Sequence, residues 1–296
     1  MLRSTVIGIV VVLLIAKAAT SLRVVWPNSV ERTEAVKFAP HAKNFEIRAD
    51  NGSVEFVGQE DKSADVEVTS VLQASAHDEE AARAALDAME VTIEGKDADT
   101  CKIGWRWKSA RQAEWSGSVR FKILAPKKVN VDCDVDNGTV NVNDVSGATK
   151  LVSKNGKIES DTAGESLEAR TSNGSIEAKY SGPHVQLHTQ NGTVSADLSH
   201  TRGVDGEIST QNGTMTVTVG NDTSCKLAAS TVNGRVYFPG QKHAWIKRMT
   251  KSRSAHETLG EGGGTLKLSV QNGSIKVRHA KTDGDSDDDE DSDESD

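Results

Sequence analysis

The stretch HTQNGTVSADL, residues His188 to Leu198, holds an Asn-Gly pair between two runs of alternating polar and apolar side chains. From residue 137 onwards, Asn-Gly returns at spacings of 18, 18, 18, 21, 21 and 39 residues. The last spacing equals one 18-residue and one 21-residue repeat, which predicts a repeat that has lost its Asn-Gly. A short, fixed period of this kind is typical of a repeat architecture.

The pattern around the pair is stricter than the pair itself. The third residue after each Asn is apolar, the second is polar, and the fourth residue before it is apolar or small. This alternation predicts two strands, each with one buried face, on either side of a turn or corner. Asn and Gly adopt positive φ at low cost, so we assign all eight pairs as structural turns. They are Asn51-Gly52, Asn137-Gly138, Asn155-Gly156, Asn173-Gly174, Asn191-Gly192, Asn212-Gly213, Asn233-Gly234 and Asn272-Gly273.

Two architectures fit these turns. Each pair is either the turn of a β-hairpin in a long meander, or one corner of a β-solenoid whose coils stack on one another. The near-constant period favours the solenoid, because stacked coils must match in length and hairpins need not. The prediction is therefore an all-β fold, a single-stranded β-helix with coils of about 18 to 21 residues. Its Asn side chains are expected to form a ladder along the axis.

Five segments are predicted along the chain. Residues 1–20 are predicted to be a signal peptide or a membrane anchor, and the signal peptide is favoured because the apolar run from Val6 to Ile15 is short for a membrane span. Residues 21–44 are assigned as a linker. Residues 45–126 are assigned to N-terminal strands with one short capping α-helix, and residues 127–279 to the solenoid repeats of the same domain. Residues 280–296 form an acidic tail that is expected to be disordered.

The charge distribution argues against nucleic acid as a partner. Ten acidic residues lie between Asp283 and Asp296, and without them the formal charge of −8 becomes +2. Arg3 and Lys17 of the leader account for those two positive charges, which leaves a neutral body. A nucleic-acid binder needs a basic surface to neutralise phosphates. A basic cluster does occur, at Lys242, Lys247, Arg248, Lys251 and Arg253, but it is local.

Three cysteines, Cys101, Cys133 and Cys225, are an odd number for an exported chain. Either Cys101 and Cys133 pair, or all three are small buried side chains. Their spacing does not match a zinc site. We expect no cofactor and no metal site.

The order of these segments resembles the DUF4097 "putative adhesin" family of bacterial exported proteins. The resemblance covers about Phe45 to Arg278 and rests on these stretches: ADNGSVEFVGQ, EEAARAALDAMEVTIE, FKILAPKKVNVDCDVDNGTVNV, the successive NG[TKS][VI] motifs and GEGGGTLKLSVQNGSIKV. It implies a β-helical fold at the cell envelope and an adhesive role. The acidic tail and the basic segment near Lys251 depart from the family pattern.

Few residues are candidates for chemistry. Trp105 and Trp107 share one strand face and are either packing residues or a platform that stacks on sugars. Solenoid enzymes that act on polysaccharides need clustered carboxylates, and Glu159, Glu177 and Asp197 are not expected to form a stacked pair. The chain is therefore expected not to be an enzyme.

The function predicted from the sequence is an adhesin-like binding protein that presents solenoid faces to an envelope glycan or protein. It is exported to the periplasm, the cell surface or the medium, with a possible membrane tether at the N-terminus. The alternative is a structural, self-associating envelope protein or the output domain of a stress response. The least favoured reading is a carbohydrate-active enzyme.

Overall fold

The computed structural model describes residues 23–26, 28–62, 64–238 and 253–280. Within these residues the chain forms one helix, α1 at Glu79–Ala88, and 22 strands. The strands are β1 Arg23–Trp26, β2 Ser29–Phe38, β3 Asn44–Gln59, β4 Val66–Ser75, β5 Met89–Glu94, β6 Thr100–Trp107, β7 Ser116–Pro126, β8 Asn130–Asn137, β9 Val140–Asn143, β10 Ala148–Asn155, β11 Ile158–Thr162, β12 Ser166–Asn173, β13 Ile176–Tyr180, β14 His184–Asn191, β15 Val194–Leu198, β16 Asp205–Asn212, β17 Met215–Val219, β18 Cys225–Asn233, β19 Val236–Tyr237, β20 Ser254–Leu259, β21 Thr265–Asn272 and β22 Ile275–His279. The leader, the basic residues Lys242, Lys247, Arg248 and Lys251, and residues 281–296 of the tail lie outside the described residues.

The strands form two ladders that share the long strand β3. The strand order in sheet A is β1, β2, β4, β7, β3, β9, β11, β13, β15, β17, β22, β19. The order in sheet B is β5, β6, β3, β8, β10, β12, β14, β16, β21, β18, β20. The predicted all-β class with one short helix is confirmed.

Successive repeats stack in parallel and in register. Strand β10 lies between β8 and β12, and Leu151 is opposite Cys133 on one side and Ala169 on the other. In the same way Ile158 of β11 is opposite Val140 and Ile176. Each Asn-Gly connects a strand of sheet B to a strand of sheet A. Every strand therefore pairs with the equivalent strand of the neighbouring repeat. The hairpin alternative is therefore excluded for the repeats.

The predicted inward positions form the core. At all eight repeats the third residue after Asn is at most 1% exposed: Val54, Val140, Ile158, Ile176, Val194, Met215, Val236 and Ile275. The fourth residue before Asn is equally buried: Ile47, Cys133, Leu151, Ala169, Leu187, Ile208, Ala229 and Leu268. Burying one such aliphatic side chain contributes about 1.5–3 kcal/mol, which makes these two columns the main apolar stabilisation of the stack.

The Asn side chains form the expected ladder. Each Nδ2 donates to the Oδ1 of the Asn on the neighbouring repeat at 2.8–3.0 Å. The ladder runs without a break through all eight pairs, in the spatial order 51, 137, 155, 173, 191, 212, 272, 233.

Glycine is required at the corner because the backbones approach too closely for a side chain. A Cβ built on Gly192 would lie 1.9 Å from the carbonyl oxygen of Gly174, and one on Gly174 would lie 1.9 Å from that of Gly156. Six of the eight corner glycines also have positive φ, for example 156° at Gly192. The eight Asn residues do not, so the expectation that Asn supplies positive φ was wrong.

The corner carbonyls are satisfied from inside the stack. Thr189 Oγ1 donates to the Gly174 carbonyl oxygen at 3.1 Å, and Thr171 and Ser153 make the same bond one and two repeats earlier. These hydroxyls are buried, and an unpaired carbonyl at the corner would cost about 1–3 kcal/mol. The polar residues that the sequence places two positions before Asn are thus hydrogen-bonded parts of the core.

The C-terminal repeat is not the last one in space. Strands β21 and β22 insert between the β16–β17 repeat and the β18–β19 repeat, so Asn272 lies between Asn212 and Asn233. Strand β20 then covers the outer edge of β18 in antiparallel orientation. The prediction that the 39-residue gap hides a degenerate repeat was therefore wrong. The chain passes one repeat further along the axis and then returns.

The N-terminal end departs from the parallel stacking of the repeats. Strand β3 is likewise inserted, between the β6–β7 repeat and the β8–β9 repeat. Beyond β7, strands β4, β2 and β1 continue sheet A in antiparallel orientation, and β5 does so beyond β6 in sheet B. Residues 21–44, predicted as a linker, instead supply β1 and β2. The segment SVERTEAVKF, which forms β2, pairs along its whole length with β4.

The helix packs at this N-terminal end. The side chain of Asp78 caps α1 by accepting from Ala81 N at 2.7 Å, and Glu79 in the first turn faces the positive end of the helix dipole. Ala82, Ala85 and Leu86 are buried, and α1 contacts β4 and β2. No helix in the described part of the chain is both long and apolar enough to span a membrane.

We predict that Gly192→Ala lowers the free energy of unfolding by at least about 2 kcal/mol, because the new Cβ overlaps the Gly174 carbonyl and the backbone has positive φ. Gly203→Ala is the matched control, since a Cβ there meets nothing within 4 Å. Urea unfolding of both variants measures the difference. Equal stability of the two variants would refute the close-packed corner.

We predict that deleting residues 254–296 is far more damaging than deleting residues 281–296. The longer deletion removes a repeat that pairs on both sides, and with it buried Leu266, Leu268 and Ile275. Losing their burial costs more than about 4 kcal/mol. Thermal unfolding and limited proteolysis compare the two truncations. If β21 and β22 were an ordinary terminal repeat, the longer truncation would stay folded up to β18.

Candidate binding face

The outer face of sheet A carries an ordered array of polar side chains. In the repeats of Asn137, Asn155, Asn173 and Asn191, the residues four and six positions after Asn point outward there, and parallel register aligns them from strand to strand. Glu159 is opposite Asn141 and Glu177, and Asp161 is opposite Asn143 and Lys179. A depression of about 410 Å³ lies on this array. The outward-pointing polar residues of its lining, which we call the polar face, are Asn141, Asn143, Glu159, Asp161, Glu177, Lys179, Ser195 and Asp197.

Glu159 and Glu177 form a stacked pair, which corrects the expectation that they would not. Both are four residues after their Asn, and Lys157 bridges them, with Nζ 2.6 Å from Glu159 Oε1 and 2.7 Å from Glu177 Oε2. The hydrogen bond with Glu159, and next that with Glu177, raises the pKa of Lys157. The two carboxylates are therefore held as the counter-charges of one exposed ammonium.

Hydrogen bonds fix the neighbouring groups. Asn143 Nδ2 donates to Asn141 Oδ1 at 2.8 Å, and Asn141 Nδ2 donates to Glu159 Oε2 at 3.2 Å. Lys179 Nζ donates to Asp161 Oδ2 at 3.2 Å. The face thus has amide, carboxylate and ammonium groups in fixed positions, with an excess of acid.

The same face becomes basic toward the C-terminal end. Strand β17 contributes Thr216 and Thr218, and the next strand in space contributes Lys276 and Arg278. Arg235 lies at the corner before β19. All three cations are exposed, and none forms an ion pair with another described residue.

The two tryptophans lie away from the polar face, at the N-terminal end. Trp105 and Trp107 are on the side of β6 that also buries Cys101 and Ile103, and their rings meet edge to face with centroids 5.6 Å apart. Trp107 also contacts Trp115 at 5.9 Å. Both are partly buried against the core. Trp105 Nε1 has no hydrogen-bond partner among the described residues, and a role in ligand contact stays a prediction.

The cysteines are all free and buried. Cys101 is opposite Phe45 and Cys133 is opposite Ile47 on the intervening strand β3. Two strand spacings and a two-residue offset separate their Cα atoms by about 11–12 Å, beyond the roughly 7 Å that a disulfide spans. Pairing of Cys101 with Cys133 is therefore excluded. Within the described residues, no cluster of three or more His, Cys, Asp or Glu side chains is placed to hold a metal ion.

Comparison with known proteins gives similarity of shape only. No family model matches the chain, and no curated protein sequence matches it. A "putative adhesin" from Bacteroides fragilis has 14% identity and a TM-score of 0.43, with 83% of this chain and 96% of that chain covered. A "putative cell adhesion protein" from Clostridium sporogenes has 12% identity and a TM-score of 0.35, with coverage of 84% and 100%. A "putative lipid binding protein" from Parabacteroides distasonis has 10% identity and a TM-score of 0.34, with coverage of 85% and 97%.

Since no family model matches, membership of DUF4097 stays a prediction. Structures that are this distant carry no argument about the ligand of this chain. The candidate binding face is therefore defined by its own geometry alone.

We predict that the three thiols react with an external disulfide reagent only after unfolding. Burial raises the pKa of Cys101 and of Cys225 to about 11 and raises that of Cys133. Because the folded pKa exceeds the unfolded value of 9.0, this contribution to stability is present below pH 9 and is lost as pH rises through 11. Reaction rates with and without denaturant test this. Rapid labelling of the folded protein would contradict it.

Proposed function

We propose that the chain is a non-catalytic binding protein that presents the polar face to a glycan or another polar component of the cell envelope. The observation that carries the proposal is the depression lined by side chains from β9, β11, β13 and β15. Four successive strands present these side chains in register. A binding surface of this kind does not depend on any single loop.

The stacked part of the chain is, in this proposal, a β-solenoid with coils of 18 to 21 residues. Parallel strands lie about 4.8 Å apart, so a polymer that crosses the strands meets a new row of donors and acceptors at each step. An extended glycan or polysaccharide suits such a surface better than a compact small molecule does. The depression is open, and Ala178 is the only apolar residue that lines it.

The arrangement of charges on the polar face supports ligand binding without catalysis. A glycosidase needs one carboxyl group that keeps its proton beside a second, ionised one. Here Lys157 bridges Glu159 and Glu177, so one ammonium lies between the two carboxylates and hydrogen-bonds both of them. The pair is thus suited to accept hydrogen bonds from ligand hydroxyls.

An envelope or extracellular location accompanies this proposal. It depends on the apolar leader with Arg3 and on the Ala-Lys-Ala sequence, residues 16–18, that follows the apolar run. The leader is then either removed or kept as a tether. A surface protein that binds envelope glycan has the role the sequence predicts.

We predict that Asn141→Ala with Asn143→Ala weakens binding to envelope polysaccharide about tenfold or more, since each lost hydrogen bond contributes about 0.5–1.5 kcal/mol. Gln186→Ala, which alters an exposed side chain on the opposite sheet, is the matched control and should bind normally. Glycan arrays followed by titration of the best ligand give the measurement.

Three other results would contradict the proposal. Loss of binding in Trp105→Ala and Trp107→Ala, with Asn141 and Asn143 variants unaffected, would place the site at the N-terminal end. Release of reducing sugar that stops in Glu159→Gln would make the chain an enzyme. Filament formation without any ligand would favour the self-associating alternative.

A further inference from the structure

Each Asn-Gly pair has an intrinsic reactivity that the fold must control. The glycine amide nitrogen can attack Cγ of the preceding Asn, which closes a five-membered succinimide ring and releases ammonia. Water then opens the ring and leaves an aspartyl or isoaspartyl residue. Glycine has no side chain to hinder the attack, so Asn-Gly is the sequence in which this reaction meets the least steric resistance. The chain has eight such pairs.

Within the stack, the attacking glycine nitrogen already takes part in a hydrogen bond. The corner glycine N–H donates to the Asn carbonyl oxygen of the next repeat at 2.9–3.0 Å, as Gly192 does to Asn212. The same bond is made by Gly138, Gly156, Gly174, Gly213 and Gly273. Gly52 lies inside the continuous strand β3, which is paired with β7 on one side and β8 on the other.

The Asn side chain that the glycine nitrogen attacks is also held by hydrogen bonds. Asn191 donates through Nδ2 to Asn173 and accepts through Oδ1 from Asn212, at 3.0 and 2.8 Å. To bring its Cγ to the glycine nitrogen, the side chain must leave both neighbours. The reaction in an interior repeat therefore requires at least three hydrogen bonds to break together.

Asn233-Gly234 is different because the β18–β19 repeat is the last one in space among the described residues. Asn233 Nδ2 donates to Asn272 Oδ1 at 2.8 Å, and its carbonyl oxygen accepts from Gly273 N at 2.9 Å. No described residue donates to Asn233 Oδ1, and none accepts from Gly234 N–H. Asn233 is exposed, and the adjacent Val232 is 61% exposed, the highest value among the large apolar side chains of the described residues.

We propose that Asn233 is a deamidation site and that the ladder protects the other seven Asn-Gly pairs. The insertion of β21 and β22 determines which Asn is the reactive one, since it places Asn233 rather than Asn272 at the end of the ladder. In chain order Asn272 would have been the exposed end. The proposal does not depend on the function of the polar face.

The modification changes the terminal repeat in two ways. The product carboxylate has no N–H to donate, so its oxygen faces Asn272 Oδ1 without a hydrogen. An isoaspartyl product also lengthens the backbone by one methylene at a corner where coils must match. Both changes loosen β18 and β19 from β21 and β22, whose edges then become accessible.

The test is peptide mapping by mass spectrometry after incubation of the full chain at mildly alkaline pH. Position 233 should gain about one dalton at least about tenfold faster than position 191, the factor that one net hydrogen bond provides. The same protein in denaturant is the matched control, in which both Asn-Gly pairs should convert at similar rates. Equal rates at 191 and 233 in the folded protein would overturn the proposal, and so would an interior pair that converts first.

A variant tests the structural consequence separately. Asn233→Asp reproduces the charge of one product without the reaction. Hydrogen exchange of the β18 and β19 amides should become faster, while that of β12 and β14 should stay as in the unmodified protein. Unchanged exchange in β18 would show that deamidation leaves the terminal repeat attached.

Discussion

The close approach of backbones at the Asn-Gly corner is the constraint on which the rest of the structure depends. Seven of the eight corner glycines lie against the carbonyl of the neighbouring corner glycine and Gly52 lies against that of Val119, in each case with no room for a Cβ. The repeats can therefore come together at the spacing that their ladders require only if glycine occupies every corner. Once they do, the Asn side chains are near enough to join in one continuous ladder. Registration of all other side chains follows from this alignment.

The same constraint separates the positions that stability requires from those that are free to vary. Inward positions are apolar or carry a hydroxyl that satisfies a corner carbonyl, as Thr189 does for Gly174. Outward positions make no contact that the stack needs. They change from acids at Glu159 and Glu177 through threonines to cations at Lys276 and Arg278 along one face. Binding chemistry can thus differ between repeats without any change in the scaffold.

Much of the repeat region could be predicted from the sequence because its signals are local. The turn, the two buried columns and the Asn ladder each depend on residues within a few positions of Asn-Gly. The stacking of Glu159 on Glu177 could also have been predicted from the sequence, since each is four residues after its Asn. A local sequence pattern cannot specify the position of a repeat in the spatial order of the stack. The QNG of residues 271–273 looks the same whether its repeat ends the stack or is inserted into it. The strand β2 was missed because it precedes the first Asn-Gly and pairs with β1 and β4, neither of which contains an Asn-Gly.

The ends of the stack explain why a face rather than an end is the better binding surface. An exposed parallel edge invites another copy to continue the ladder. In sheet B both edges are instead formed by antiparallel strands, β5 at one end and β20 at the other. A second copy meeting these strands does not find the parallel register that joins the repeats within the chain. Because the inserted repeats β3 and β21–β22 are held on both sides, the repeats next to each end are also fixed. End-to-end growth through sheet B is therefore disfavoured, and the parallel outer strand that sheet A has among the described residues, β19, is only two residues long. The outer face of sheet A is, by contrast, a surface that runs along the whole stack.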